Sequence, residues 1–431
     1  MKALAPSCYL KSYPSAQGDK VLLYSTLHGS KLTVSKSLAE AITSGTVPEA
    51  HVETLQRLGI LVPDRERERQ QMMELLQELD RRNTLFCAVV TLNLDCNLAC
   101  SYCYESPFRC SSYMTEETAD LVVQALLNHP LAASRDLRVE FYGGEALLSV
   151  PLMRRISTQL KSAVEARGKA YSFSIVTNGT LLNRRTVEEL LPLGLSSAKV
   201  TLDGPPRIHD QQRPFTSGRG SFAAILANLK EICALLPIQL GGNFSQEKYR
   251  EFPELLDILV QEGISPESIA AVQFTAIAPK ADEAGLPEFT AGCACSSEPW
   301  LMEASLYLRE ETLKRGFRVQ KPKLSACMVE SENNMVIGYD GGIYKCPAFM
   351  GWQDLRIGTL TEGVQEYAES HGVGAWKQEE CLDCAYLPIC FGGCKYLQRL
   401  NTGSVAGVDC RKELLDATLE KTLRQDLAAG R

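Results

Sequence analysis

Between residues 85 and 278, short apolar runs alternate with longer amphipathic stretches. Runs 88–94, 137–142, 172–177, 198–202, 238–243 and 272–277 have strand length and are rich in β-branched and aromatic residues. The stretches 116–128, 152–165, 185–191, 222–235 and 251–262 space their apolar residues three and four apart, as the buried stripe of a helix requires. Six such βα repeats of about 35 residues predict a parallel sheet with right-handed crossovers, either open and doubly wound or part of a barrel. In both, functional groups gather at the C-terminal ends of the strands.

The flanks follow other patterns. Before residue 84, strand-like runs 20–25 and 31–34 precede two short helical patterns, 36–44 and 48–58, and then Gly59-Ile60-Leu61-Val62-Pro63. This reads as a small strand-plus-helix module of winged type. Residues 64–82 are mostly charged and have the composition of an exposed connecting helix. From Cys327 onward long helices are expected to give way to loops, a hairpin signal around Tyr339-Asp340-Gly341-Gly342, and Cys-rich turns. Such a segment has too few apolar residues for a large core without staples, and metal would supply them. The expected domains are 1–84, 85–317 and 318–431.

Composition narrows the chemistry. The 45 Lys and Arg against 52 Asp and Glu give a formal charge of −7, which disfavours a general nucleic-acid binder. No basic tip with an apolar run opens the chain and no apolar run reaches membrane-span length, so the expectation is a cytoplasmic protein without a membrane partner. In that compartment 16 Cys beside 5 His point to metal or catalysis rather than to disulfides. With so few His and no HExxH pair, the ligands must be mostly thiolates.

The first cysteine cluster follows the first predicted strand: Cys96, Cys100 and Cys103 in a CxxxCxxC loop, with aromatic Tyr102 before the last. Three thiolates on one loop can hold three irons of a cubane and leave the fourth open, whereas structural zinc wants four protein ligands. A zinc site completed by Cys110 is the alternative. Gly143-Gly144-Glu145-Ala146 follows the second strand, Thr177-Asn178-Gly179-Thr180 the third and Thr201-Leu202-Asp203-Gly204 the fourth, all on one face. Two glycines let backbone approach a ligand, and a carboxylate matches an ammonium group.

These segments together resemble the radical S-adenosylmethionine (SAM) superfamily. The resemblance implies that Cys96, Cys100 and Cys103 hold a [4Fe–4S] cluster with SAM at its open iron. It further implies that Tyr102, Gly143, Gly144, Glu145, Asn178 and Thr201 line the SAM site. Ala146 replaces the usual Pro and Thr201 the usual Ser. His209, Asp210 and Arg213 match an HDxxR pattern of relatives, and Asp203 is the candidate general acid or base by position alone.

A second signature ends the chain: Cys327, Cys346, Cys381, Cys384, Cys390, Cys394 and Cys410, at spacings that resemble the SPASM domain. In relatives this extension holds two auxiliary [4Fe–4S] clusters. By motif order Cys381, Cys384, Cys390 and Cys410 serve one, and Cys327, Cys346 and Cys394 the other, with Cys293 or Cys295 as the expected fourth ligand or an iron left open. The resemblance thus implies an α/β fold: a partial (β/α)6 TIM-type barrel, an N-terminal winged-helix-like peptide-recognition module and a loop-rich, Cys-rich SPASM domain. It also implies a 5′-deoxyadenosyl radical that takes hydrogen from a ribosomally made precursor peptide and installs a thioether or carbon–carbon crosslink. Electrons would come from a reductant such as flavodoxin or ferredoxin. The alternatives are a sulfatase-type maturase oxidising a Cys or Ser of a protein, and a zinc-binding scaffold without activity.

Overall fold

A computed structural model of the 431-residue chain describes residues 4–15, 18–103, 110–277 and 298–430. They form two compact units: Asn83–Gln320 with Glu332–Tyr367 and Arg424–Arg431, and Met1–Arg82 with Lys321–Ser331 and Ala368–Leu423.

The larger unit is built on six strands, Leu85–Thr91, Asp136–Tyr142, Tyr171–Thr177, Leu195–Thr201, Ile238–Phe244 and Ile269–Ala276. Each pairs in parallel with the next. Their order runs without reversal. A doubly wound sheet reverses at its switch point, so this is a singly wound partial barrel. Strand ends depart from the expected ones by up to three residues. The first strand stops at Thr91: Leu92 N still donates to Tyr142 O at 2.9 Å, and beyond it the chain turns to another segment, where Leu94 N donates to Ser112 O at 3.0 Å. The hairpin signal corresponds to Asn334–Ile337 paired antiparallel with Gly342–Tyr344. Its first strand also lies parallel to Leu85–Thr91, Val336 opposite Val89, and so extends the barrel sheet.

Alternate strand residues meet two environments. Leu137, Val139, Phe141, Phe173, Ile175, Ala198 and Val200 share one continuous core with helix residues such as Val122, Ile156, Leu160 and Ile225. The residues between them, among them Arg138, Glu140, Ser172, Ser174, Lys199 and Thr201, therefore face the barrel interior. Closed barrels fill that space with Val, Ile and Leu. Here the inner face is polar. Burial raises the carboxyl pKa of Glu140, opposed by Lys199, Ser174 and Arg138 around it.

In the smaller unit Leu10–Pro14, Lys20–Ser25 and Lys31–Ser35 form an antiparallel sheet with Lys20–Ser25 in the centre. Ser35 caps the helix Lys36–Ser44 by accepting from Leu38 N, and Gly45 ends it in the left-handed conformation. A second helix, Glu49–Arg57, follows, and Leu61–Val62 pairs with Ala5–Pro6. The core of this part is Leu23, Val34, Ile42, Leu55, Ile60 and Leu61.

Two expectations are corrected here. The charged helix Arg65–Arg82 is not simply exposed: Met72 is buried with Tyr9, Trp376, Leu382, Leu387 and Phe391, and Met73, Leu75 and Leu76 pack beside it. Buried Glu68 accepts from Ser7 Oγ and, at 2.8 Å, from Cys8 N. Nor is the segment after Cys327 free of long helices, because Lys412–Ala428 is one of 17 residues. Leu415, Leu419 and Leu423, four apart, pack with Tyr13, Leu22, Tyr24, Tyr386 and Ile389. An apolar stripe this narrow on a charged helix gives a weak periodic signal.

Candidate functional site

The CxxxCxxC loop leaves the first barrel strand and is held along its length by backbone bonds to a second segment. Ala99 N donates to Pro214 O (2.8 Å), Ser101 N to Gln212 O (3.1 Å) and Thr216 N to Asn97 O (3.0 Å). Leu98 is buried and bridges Phe215. Cys96, Cys100 and Cys103 are half-buried cysteines on this loop. Among the described residues no three His, Cys, Asp or Glu converge as ligands of a single metal ion. A cubane, in which each thiolate binds a different iron, spreads its ligands further apart.

Tyr102, between two of these cysteines, is buried, and all three bonding positions of its phenol are taken. The hydroxyl donates to Asp203 Oδ2 and accepts from Arg213 Nη1 (2.7 Å) and Asn243 Nδ2 (3.1 Å). Asp203 is fully buried, and its other oxygen accepts from Asn243 N at 2.7 Å. Burial raises its pKa, opposed by Arg213. Burial alone would lower that of Arg213, but Tyr102, Cys100 and Asp203 around it hold it above the ordinary arginine value. Among the described residues Arg213 Nε has no hydrogen-bond partner. A buried cation with a spare donor beside Cys100 fits an anionic thiolate cluster.

His209 is structural. Its Nδ1 accepts from Asp203 N (3.0 Å), which leaves the proton on Nε2 to reach Ser221 Oγ (2.9 Å), and Ser221 donates to Arg213 O (2.6 Å). Burial, with Arg213 nearby, pushes its pKa well below the ordinary 6.5 and keeps the ring neutral. Asp210 accepts from Phe222 N at 2.8 Å, at the start of the helix Phe222–Ile232.

Glu145 sits at the hub of the strand ends. Fully buried, it accepts from Leu147 N (3.0 Å), Thr177 Oγ1 (2.7 Å) and Asn178 N (2.7 Å). Of the roughly four acceptor positions of a carboxylate, about one is left for a ligand. The two glycines before it turn their Cβ side to the protein itself. A Cβ on Gly143 would lie 2.6 Å from Asn93 O, and one on Gly144 2.3 Å from Asp95 O, so the second strand's end packs directly on the cysteine loop's backbone. Asn178 donates to Asn97 Oδ1 (2.8 Å) and reaches Cys96 Sγ (3.8 Å), and Asn97 donates to Thr180 Oγ1 (2.8 Å). Thr201, half-buried, lies on the inner face opposite Gly241.

The sequence reading missed Asn93, which donates to Glu145 O (3.1 Å) and Ser149 Oγ (2.8 Å), and Asn243. Asn243 had a usable signal, a polar residue near the C-terminal end of a strand, in the place that Asn178 and Thr201 take on theirs.

In the smaller unit Cys381 lies within electrostatic reach of Cys384 and Cys410, and Cys390 within reach of Cys410. The loop between Cys390 and Cys394 runs through three successive left-handed residues, Phe391 (φ 41°), Gly392 (79°) and Gly393 (76°). Asp409 staples it: Asp409 N donates to Gly392 O (2.9 Å) and Cys394 N to Asp409 Oδ2 (3.1 Å). Cys327 lies near Lys395 in the same unit, whereas Cys346 belongs to the larger one. Cys293 and Cys295 fall outside the described residues.

Parallel barrel, thiolate loop and polar strand ends define the class, and the sequence agrees: residues 90–259 match the family model of the radical SAM superfamily, so the chain carries a radical SAM domain there. Among curated relatives, the Fe-coproporphyrin III synthase of Methanosarcina barkeri is 33% identical over 175 residues, 39% of each chain. The serine-type anaerobic sulfatase-maturating enzyme of Bacteroides thetaiotaomicron is 23% identical over 72% of this chain and 82% of its own. The PqqA peptide cyclase of Rhodopseudomonas palustris is 23% identical over 78% and 89%. In fold the chain is similar to native anSMEcpe with bound AdoMet, with a TM-score of 0.62 at 17% identity over 80% of this chain and 100% of that one. It is also similar to Streptococcus suis SuiB bound to S-adenosylmethionine, with 0.52 at 15% identity over 92% and 98%. Among the described residues no helix is long and apolar enough to cross a membrane.

Proposed function

We propose that this chain is a radical SAM/SPASM maturase that abstracts hydrogen from a ribosomally made precursor peptide and installs a thioether or carbon–carbon crosslink. The observation that carries this reading is the three-cysteine loop, locked against residues 212–216 beside a buried guanidinium with an unused donor. Cys96, Cys100 and Cys103 would hold the [4Fe–4S] cluster. SAM would lie against Tyr102, Gly143, Gly144, Glu145, Asn178 and Thr201. When bound, these groups supply a hydrogen-abstracting radical. The polar inner face of the barrel would receive the substrate segment. Cys381, Cys384, Cys390 and Cys410 would hold one auxiliary cluster. Cys327, Cys346 and Cys394 would hold the other, with Cys293 or Cys295 completing it.

Peptide capture would use the edge strand Lys31–Ser35. The bonds from Lys36 N to Asp19 O and from Ser25 N to Ser30 O set the ladder's parity, so the N–H of Thr33 points to the open edge. A leader peptide could add there as a further strand. A reductant of flavodoxin or ferredoxin type would deliver electrons.

Anaerobically reconstituted protein should be brown and hold roughly 12 irons. With SAM, reductant and a short peptide encoded beside its gene, the product should be lighter by about two hydrogens. A colourless, zinc-loaded protein would sink the proposal. The long match to a sulfatase-maturating enzyme favours a second reading, oxidation of a Cys or Ser in a protein substrate. Thr33→Pro separates the two: it should cut peptide modification about tenfold or more under the first reading while leaving SAM cleavage intact. Under the second it should leave both unchanged.

A further inference from the structure

We propose that Tyr102, Asp203, Asn243 and Arg213 form a buried brace that fixes the cysteine loop against the ends of the fourth and fifth barrel strands, with Arg213 the counter-cation held beside Cys100. Asp203 is on this reading a positioning residue and exchanges no proton with substrate.

Three observations converge. First, the phenol of Tyr102 reaches from the motif across to both strands, through Asp203 and Asn243, and its donor and acceptor positions are all used. Second, Asp203 is fully buried and both its oxygens are engaged, Oδ2 by Tyr102 and Oδ1 by Asn243 N, as a positioning carboxylate requires. Third, Arg213 is held in place from behind. The Ser221 hydroxyl takes its carbonyl at 2.6 Å, and His209 orders Ser221. In front, Nη1 is spent on Tyr102 while Nε stays unpaired among the described residues.

The charges explain the arrangement. Arg213 opposes the negative charge of a thiolate cluster, and Asp203 offsets part of that field. Neutral Tyr102 couples the two without adding charge. The roles are therefore separable: removing the phenol oxygen loosens the loop and leaves the charge balance alone, whereas removing the Asp203 charge does both.

The cluster part of this inference rests on the function proposed above; the loop part does not. The test uses the full-length chain, purified anaerobically, with Tyr102→Phe, Asp203→Asn, their double variant and Arg213→Gln. Amide exchange over residues 98–103 and 212–216 is followed before and after iron removal with a chelator. Both single variants should exchange about tenfold faster there or more, because each disrupts the Tyr102–Asp203 bond, and the double variant little faster than either. The midpoint potential of the SAM-responsive cluster should stay put in Tyr102→Phe, rise in Asp203→Asn and fall in Arg213→Gln. Native exchange rates in both single variants would overturn the brace. So would an Asp203→Asn protein that loses turnover while exchange and potential stay native, because Asp203 would then be moving a proton. A chain that binds no iron would overturn the function and the counter-cation role together, and the exchange rates would still judge the brace.

Discussion

Glu145 offers the sharpest quantitative test, since one buried side chain joins the ends of two barrel strands. Glu145→Ala removes the acceptor of two backbone amides, Leu147 N and Asn178 N, and of the Thr177 hydroxyl. The hydroxyl can turn, so two amides are stranded at about 1–3 kcal/mol each. Burial raises the pKa of Glu145, so losing the carboxylate also relieves a desolvation cost that offsets part of this. The expected net loss is about 2–4 kcal/mol, or a fall of about 4–8 °C in the Tm of the barrel unit. Glu145→Gln keeps one oxygen but turns an amide N–H toward a donor, and about half that loss is expected. Calorimetry on the anaerobic protein reads the stability, and amide exchange at Leu147 and Asn178 localises it. A Glu145→Ala protein that melts within about 2 °C of the native one, with native exchange at both amides, would refute the reasoning. Titration with SAM separates a second role. If the remaining acceptor position takes the ammonium group, Glu145→Gln weakens SAM binding about tenfold or more. Unchanged affinity in a destabilised variant would make the carboxylate purely structural.

Other consequences can be measured independently. Gly393→Ala places a Cβ 2.0 Å from Asp409 O at a residue with φ +76°, so it should cost about 2–4 kcal/mol and lower iron content; native denaturation and iron content would contradict this. Lys395 is buried, donates to Gly372 O (2.7 Å) and Gly407 O (2.9 Å), and lies 3.8 Å from buried Glu330. Lys395→Met should therefore destabilise the smaller unit by about 3–5 kcal/mol, and adding Glu330→Gln should recover part of it; strict additivity in urea unfolding would argue against the pair. His209 has a folded pKa far below its ordinary 6.5, so the unfolded chain takes up the proton first. Its contribution is complete above about pH 6.5 and is lost as pH falls below it, by about 1.4 kcal/mol per unit. Unfolding free energies of the native protein and His209→Asn should run parallel above about pH 6.5 and converge toward that slope below it, and curves that stay parallel down to about pH 5.5 would disprove it.

The barrel was legible because each strand and helix repeats its own period, and the errors fall at strand ends, where loop contacts decide. The site motifs were legible as residue types at fixed places. Their geometry was not. Gly143 and Gly144 read as room for a ligand, but the sequence could not show that Asn93 and Asp95 take the space at their Cβ positions, because a missing Cβ does not say what comes close. Asp203 looked like an available carboxylate by its place after a strand, but its partners Tyr102 and Asn243 lie 101 and 40 residues away in sequence. Likewise nothing local told the charged run 64–82 that Met72 would be covered by Trp376 and Phe391.

The polar inner wall links fold to chemistry. A (β/α)8 barrel seals its centre with branched apolar side chains and leaves only the mouth for function. Here the strands keep the apolar period on the helix side, where Val139, Phe141, Ile175 and Val200 sit in the core, and give the inner positions to Arg138, Glu140, Ser174 and Lys199. Those inner groups cost stability that a packed barrel would gain, and Glu140 shows it in a carboxyl pKa raised by burial. Under the function proposed above, that cost would serve to admit a polar substrate segment to the inside of the partial barrel. A peptide segment, with its backbone amides and mixed side chains, has the chemistry these residues can satisfy.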